Sequence, residues 1–250
     1  MSISHHRLNL RKPSVEIHLF GSVEFEACLA LQQRLVYEAA GRDDGAITLL
    51  LCEHPLTISI GRQGSRSHLG GQSPEWDRRG IEPRWVNRGG GAWLHAPGQL
   101  AIYPIVPLQP HGFSVGEYLT RLQAGLLAAL ADVRFSGQTF PQRFGIWGRT
   151  GQMAAVGVAV KNWVSYFGAY INVSPAIEWF RSIESDAEGG TTMSSLAAER
   201  QRPVRMSAVR EAVVRRLPAA LGCERCHVFT GHPLLLRHHG ARHAPAARAG

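Results

Sequence analysis

Lysine is almost missing from this 250-residue chain: of its 27 basic residues only Lys12 and Lys161 are lysines, and arginine supplies the rest. An ε-amino group, the cation whose pKa proteins shift most readily for chemistry, is thus available at one place in the body of the chain. Charged residues are few, 18% against 44% hydrophobic, so the chain can bury a core and bulk disorder is excluded. No apolar run approaches the ~20 residues of a membrane-crossing helix. Residues 1–13 are polar and basic, without the apolar stretch of a secretory signal, which predicts a cytoplasmic protein. Four cysteines, Cys28, Cys52, Cys223 and Cys226, are too few for a disulfide framework. The net charge of +8 admits an acidic partner. The arginines are scattered, not ranked along one helix with interleaved aromatics, so neither nucleic acid nor a membrane is expected.

What is present reads as alternating strands and a few helices. Val15, Ile17 and Leu19 alternate with Glu16, His18 and Phe20, a half-buried strand. A helix follows over 23–40, capped by Ser22, with Phe25, Cys28, Leu29, Val36 and Ala39 inward. The run 47–52 is a buried strand, 57–60 another, and 61–80 a long Gly/Arg/Ser loop. Strands are expected at 81–86 and 100–106, the latter an edge or a bulge because of Pro104. Ser114 and Glu117 predict a capping box on a helix to Asp132. Strands at 144–147, 153–160 and 163–173 precede a short helix from Pro175 to Arg181 and a last helix over 207–221. The fold class is α+β: one domain over 14–232 with a mixed sheet flanked by helices, between a loose arm at 1–13 and a disordered tail at 233–250.

Four groups carry possible chemistry. Arg88 is followed by Gly89, Gly90 and Gly91, then Ala92, Trp93, Leu94 and His95; consecutive glycines let backbone N–H groups approach a ligand, or else form a mere hairpin. Glu53-His54-Pro55 leaves a buried strand and reads first as a turn. Cys223-Glu-Arg-Cys226-His227 matches a haem-attachment pattern and, with His232, a zinc pattern; chance pairing at a helix end explains it better, and no metal or cofactor is expected. Glu184, Asp186 and Glu188 form an acidic run that reads first as a solvated loop.

Taken together these blocks resemble the octanoyltransferases of lipoate biosynthesis, also called lipoate-protein ligase B, over about residues 15–222. The carriers are Glu53-His-Pro with Gly61-Arg62; Arg88-Gly-Gly with His95-Ala-Pro-Gly-Gln99 and Tyr103-Pro104; Gly145-Ile-Trp147 with Gln152-Met-Ala-Ala-Val-Gly157; and Trp163-Val-Ser with Gly168-Ala-Tyr-Ile-Asn172. The resemblance implies a fold like that of biotin and lipoate ligases, acting as a monomer. It implies transfer of an octanoyl group from acyl carrier protein, through a cysteine, to a lysine of the lipoyl domains of 2-oxoacid dehydrogenase or glycine cleavage proteins. It places acyl binding on Arg88–His95, on Ala155, Val156 and Gly157, and on Gly168, Ala169 and Tyr170.

The same resemblance exposes two departures. The family's cysteine lies eight residues before a Thr-Ser-Leu motif; counting back from Ser194 reaches Asp186. The family's lysine position holds Gln152. A thiolate needs a nearby cation to lower its pKa from ~8.5, and an aspartyl anhydride is quickly lost to water. The reading is therefore an octanoyltransferase-family protein without its catalytic pair. Two others stand beside it: direct attack by the target lysine with Asp186 as general base, and a non-catalytic binding or regulatory module for acyl carrier protein, a lipoyl domain or a fatty acyl ligand. Trp93-Leu94, Ala96 and Phe167 replace polar or small family residues and make the expected pocket more apolar. Cys52 and Lys161 are remote candidates to replace the missing groups.

Overall fold

The computed structural model describes residues 14–141, 143–180, 183 and 192–235, with no side-chain detail at 70–75. Its spine is one eight-stranded mixed sheet. Strands β1 (Ser14–Ser22), β2 (Ile47–Glu53), β6 (Gln99–Pro107), β7 (Gln138–Phe140), β8 (Arg143–Gly148), β9 (Gly151–Lys161), β10 (Val164–Asn172) and β11 (Arg225–Thr230) lie in the order β11-β1-β2-β6-β10-β9-β8-β7. A second sheet of β3 (Thr57–Ile60), β4 (Arg84–Trp85) and β5 (Ala92–His95) has β3 at its centre.

Both faces of the large sheet are buried, which is why its strands read as continuous apolar runs. On one face Leu49, Leu51, Leu100, Ile102 and Val156 pack beneath helices α3 (Val115–Asp132) and α6 (Met206–Ala220). The residues between them, Leu50, Cys52, Ala101, Tyr103 and Ala155, face helix α1 (Phe25–Ala40) and Trp93. The capping box at the start of α3 forms as read, with Ser114 Oγ accepting from the Glu117 N–H and Glu117 Oε2 from the Ser114 N–H.

Several expectations are corrected. Glu24, not Ser22, precedes α1, and it caps nothing with its side chain. Leu29 and Ala39 lie at the margin of the helix's buried face, which Leu31, Gln32 and Leu35 complete. The loop at 61–80 contains a 3₁₀ turn (Arg66–Gln72) and helix α2 (Ser73–Arg78). The strand expected at 81–86 shrinks to Arg84–Trp85, and the glycine-cluster hairpin enters β5, a fully buried strand. Short helices α4 (Ile177–Phe180) and α5 (Leu196–Arg200) precede α6, and β11 pairs in parallel with β1 where no strand was expected. Residues 1–13 and 236–250 lie outside the described residues, and 233–235 form a helical turn.

Pro104 is the instructive correction. It lies in β6, between β2 and β10, where a missing N–H normally excludes proline. Its carbonyl accepts from Ser165 Oγ on β10, so its donorless nitrogen faces that strand too. Opposite, Phe167 adopts φ +56°, a left-handed conformation rare for a bulky residue, and turns its N–H to Gln32 Oε1 of α1 at 2.9 Å. Gly168 has no Cβ to meet the Pro104 ring and the Ile102 carbonyl. A buried glutamine thus repairs the gap a central proline makes. Gln32→Leu leaves the Phe167 N–H unpaired and is expected to cost about 1–3 kcal/mol in urea unfolding, whereas Gln33→Leu, one position along the helix, is expected to cost under about 0.5.

Candidate functional site

The site lies where the small sheet meets the open end of the large one, and a buried cation organises it. Arg88 is fully buried, and among the described residues no carboxylate pairs with it. Its Nη1 donates to the carbonyls of Gly89 and Gly91 (3.0 and 3.1 Å), its Nη2 to Ser59 O and Oγ (2.9 and 2.7 Å), and its guanidinium lies 3.6 Å over the Trp93 ring. Burial lowers its pKa to about 10, still charged at neutral pH. Gly90, at φ +85°, lets the chain fold around this group, and a Cβ there would meet the Trp93 ring.

From Arg88 a relay of hydrogen bonds runs through four strands. Ser59 Oγ accepts from Arg88 and, with the neutral His95 proton on Nδ1, donates to His95 Nε2 (2.7 Å). His95 Nδ1–H then donates to Gln99 Oε1 (3.1 Å). Gln99 Nε2 donates to Leu94 O and to Asn172 Oδ1, and Asn172 Nδ2 to Ser194 O. Each direction is fixed by an acceptor-only carbonyl at the far end. The relay requires neutral His95, and burial first, then coupling to the neighbouring His54 and the Arg88 charge, holds its pKa well below 6.5. His54 is neutral for the same reason, lowered to about 4 by burial.

Beside the relay is an apolar cavity of about 10 Å³, room for roughly one water. Ala92, Trp93, Leu94, Ala155 and Tyr170 line it, five of the residues expected to bind an acyl chain. Gln99, Phe180, Ile183 and Met193 complete it, and the sequence reading did not place them there. Arg88, Gly89, Gly90, Gly91 and His95 stand behind this wall and shape it. Val156 and Ala169 turn to the opposite face of the sheet. Gly157 sits under Gly89 and Trp93, where any Cβ would collide, and Gly168 serves Pro104. Gln99 and Asn172 carried a signal in the sequence, as polar residues at the ends of apolar strands; Phe180, Ile183 and Met193 carried none.

Gln152, the second residue of β9, is nearly buried, with its Nε2 donating to Ala154 O in its own strand (3.3 Å). Its N–H donates to Thr192 O and its carbonyl accepts from Ser194 N–H, so residues 192–194 lie directly beside it. Asp186 lies outside the described residues. Neither remote candidate reaches the cavity: Cys52 is fully buried behind Tyr103, and Lys161 is exposed at the β9–β10 turn. Cys223 is buried after α6 while Cys226 and His227 are exposed on β11, so that segment assembles no cluster.

These features define a protein of the lipoate-ligase fold. The described structure is similar to lipoate-protein ligase A bound with ATP (TM-score 0.69, 13% identity, 90% of this chain and 91% of that one). It is also similar to a bi-partite lipoate protein ligase of Thermoplasma acidophilum (TM-score 0.67, 13% identity, 89% and 90%). Residues 24–218 match the lipoyl protein ligase A/B catalytic domain, and the chain belongs to that family. Curated relatives named octanoyltransferase include that of Geobacter metallireducens, 38% identical over 203 residues (80% of this chain, 91% of the relative), and that of Roseiflexus sp., 32% identical over 222 residues (87% and 91%).

Two outcomes test the site's electrostatics. Arg88→Lys keeps the charge but cannot span four acceptors, and is expected to lower stability by about 2–4 kcal/mol in denaturant unfolding. Acid acts through the histidines. Protonation is easier in the unfolded chain, so their contribution is complete above about pH 6.5 and is lost as pH falls toward 4. For His54 that window spans about 2.5 pH units at about 1.4 kcal/mol each, on the order of 3 kcal/mol. Urea midpoints measured from pH 8 to 4 should fall through this window, and less steeply in His54→Gln.

Proposed function

We propose that this protein serves protein lipoylation as an acyl-binding member of the octanoyltransferase family that has lost the cysteine-relayed transfer step. The observation that carries this reading is Gln152. It stands beside residues 192–194, where the family resemblance calls for a lysine, and its uncharged amide is spent on its own strand. That amide brings no charge to depress a thiol pKa, and none of the described cavity-lining residues is a nucleophile of the needed kind. The apolar wall of Trp93, Leu94, Ala155 and Tyr170 supports retention of acyl recognition. The partners on this reading are octanoyl-acyl carrier protein and lipoyl domains, met in the cytoplasm. An octanoyl chain exceeds the present cavity, so it enters only as wall side chains move aside.

The test is an octanoyl-transfer assay read by intact mass spectrometry. The protein is incubated with octanoyl-acyl carrier protein and an apo lipoyl domain, with a cysteine-containing relative as positive control. The expected result is neither acyl-enzyme nor modified lipoyl domain; an octanoylated lipoyl domain above the enzyme-free control overturns the reading. Restoring the pair, Gln152→Lys with Asp186→Cys, is expected to yield a mass increase of one octanoyl group on the enzyme, and either change alone much less.

A further inference from the structure

Behind Tyr103, apart from the acyl cavity, three soft donors meet. Cys28 Sγ of α1 lies 4.0 Å from Cys52 Sγ of β2, and Cys52 Sγ lies 3.6 Å from His54 Nε2. All three donor atoms fall within 4.8 Å of one another and all three residues are buried. Among the described residues they are the one His/Cys/acid group gathered this closely. Nothing in the acyl chemistry uses the two thiols.

We propose that Cys28, Cys52 and His54 form a binding site for one soft divalent cation of the zinc type. The spacing fits. Metal–sulfur bonds of about 2.3 Å and metal–nitrogen bonds of about 2.0 Å, opened by roughly 109–120°, place sulfurs about 3.8–4.0 Å apart and sulfur about 3.5–3.7 Å from nitrogen. The surrounding polar groups fit as well. His54 Nδ1–H donates to Val23 O at 2.6 Å, which fixes the tautomer that leaves Nε2 as the ligating atom. Gln32 Nε2 donates toward Cys28 Sγ at 3.8 Å, a contact that strengthens when the sulfur is a thiolate.

Charge decides the class of ion. In a site this deeply buried the complex must be near neutral, and two thiolates with a neutral imidazole balance a divalent cation. On binding, each Sγ–H bond breaks, its proton leaves to solvent and a sulfur–metal bond forms, with no change of oxidation state. Tyr103 Oη, now bonded to His54 Nε2 at 2.6 Å, is released by the ion. Tyr103 stays beside Tyr170, whose ring centroid lies 5.8 Å from its own and whose buried hydroxyl is within reach as a partner. The ion ties α1 to the centre of the large sheet.

The test uses untagged, reduced full-length protein with Cys223→Ser and Cys226→Ser, so that only the buried thiols remain. Cadmium titration is expected to give a thiolate-to-metal charge-transfer band in the ultraviolet that saturates at one ion per chain. Cys28→Ala or Cys52→Ala, shown folded by circular dichroism, is expected to abolish it. No band in the parent, or a band unchanged by Cys28→Ala, overturns the proposal. X-ray absorption of the zinc-loaded parent needs no further substitution: sulfur neighbours at about 2.3 Å are expected, and a shell of nitrogen and oxygen alone overturns it.

Discussion

A guanidinium buried with no carboxylate partner among the described residues governs this end of the molecule. Arg88 gives up its hydration for four backbone and hydroxyl oxygens and one indole face. Such a charge is tolerated only while every acceptor stays in place. The acceptors come from the triglycine turn and from β3, so the turn's shape and the small sheet's position follow from one group. Ser59 passes the constraint on. Because it must accept from Arg88, its proton has only His95 to go to, and His95 must be neutral to receive it. Protonating His95 takes away the acceptor of the Ser59 hydroxyl proton and puts a second cation near the first.

The relay then reaches the rim of the apolar cavity and the segment beside Gln152. Gln99 opens β6, Asn172 closes β10, and Ser194 belongs to the segment that borders Gln152. These are distant in sequence, and sheet pairing alone brings only β6 and β10 together. The hydrogen bond from Asn172 to Ser194 extends this order to a stretch that joins no regular strand. The cavity wall is held from behind by polar groups, while its inner surface stays apolar. That division suits a site that must present a fixed surface to a flexible acyl chain.

The sequence carried the large sheet well because burial on both faces writes unbroken apolar runs, as in 47–52 and 153–160. It carried the glycine cluster and the order of the motif blocks. It failed where long-range contacts decide. Pro104 locally predicts an edge, and only Gln32, seventy-two residues earlier and on another element, makes a central position tolerable. β5 and β11 are short, and each is a strand only because a partner is supplied. The site was legible in its motif residues but not in its layering: Arg88 and His95 are as much a part of it as Trp93, yet they act through their neighbours. The lining by Phe180, Ile183 and Met193 comes from a stretch with no motif at all.

The paired departure at 152 and 186 has a physical logic of its own. A lysine at Gln152 would sit almost fully buried, beside Thr192 and Ser194, whose neighbouring groups are carbonyls and hydroxyls already engaged. With a thiolate partner the cation is balanced and useful. Without the cysteine there is no thiolate for that cation to serve, and holding it in a site this buried still costs desolvation. Glutamine keeps much of the length, removes the charge and finds an acceptor in its own strand. On the proposed reading the lysine has no thiolate left to activate and its burial brings no return, while the relay from Arg88 to Ser194 depends on neither residue 152 nor residue 186. The proposed function therefore asks nothing contradictory of the fold: the cation that organises the apolar wall is Arg88, a different position from the one where the family resemblance calls for a lysine.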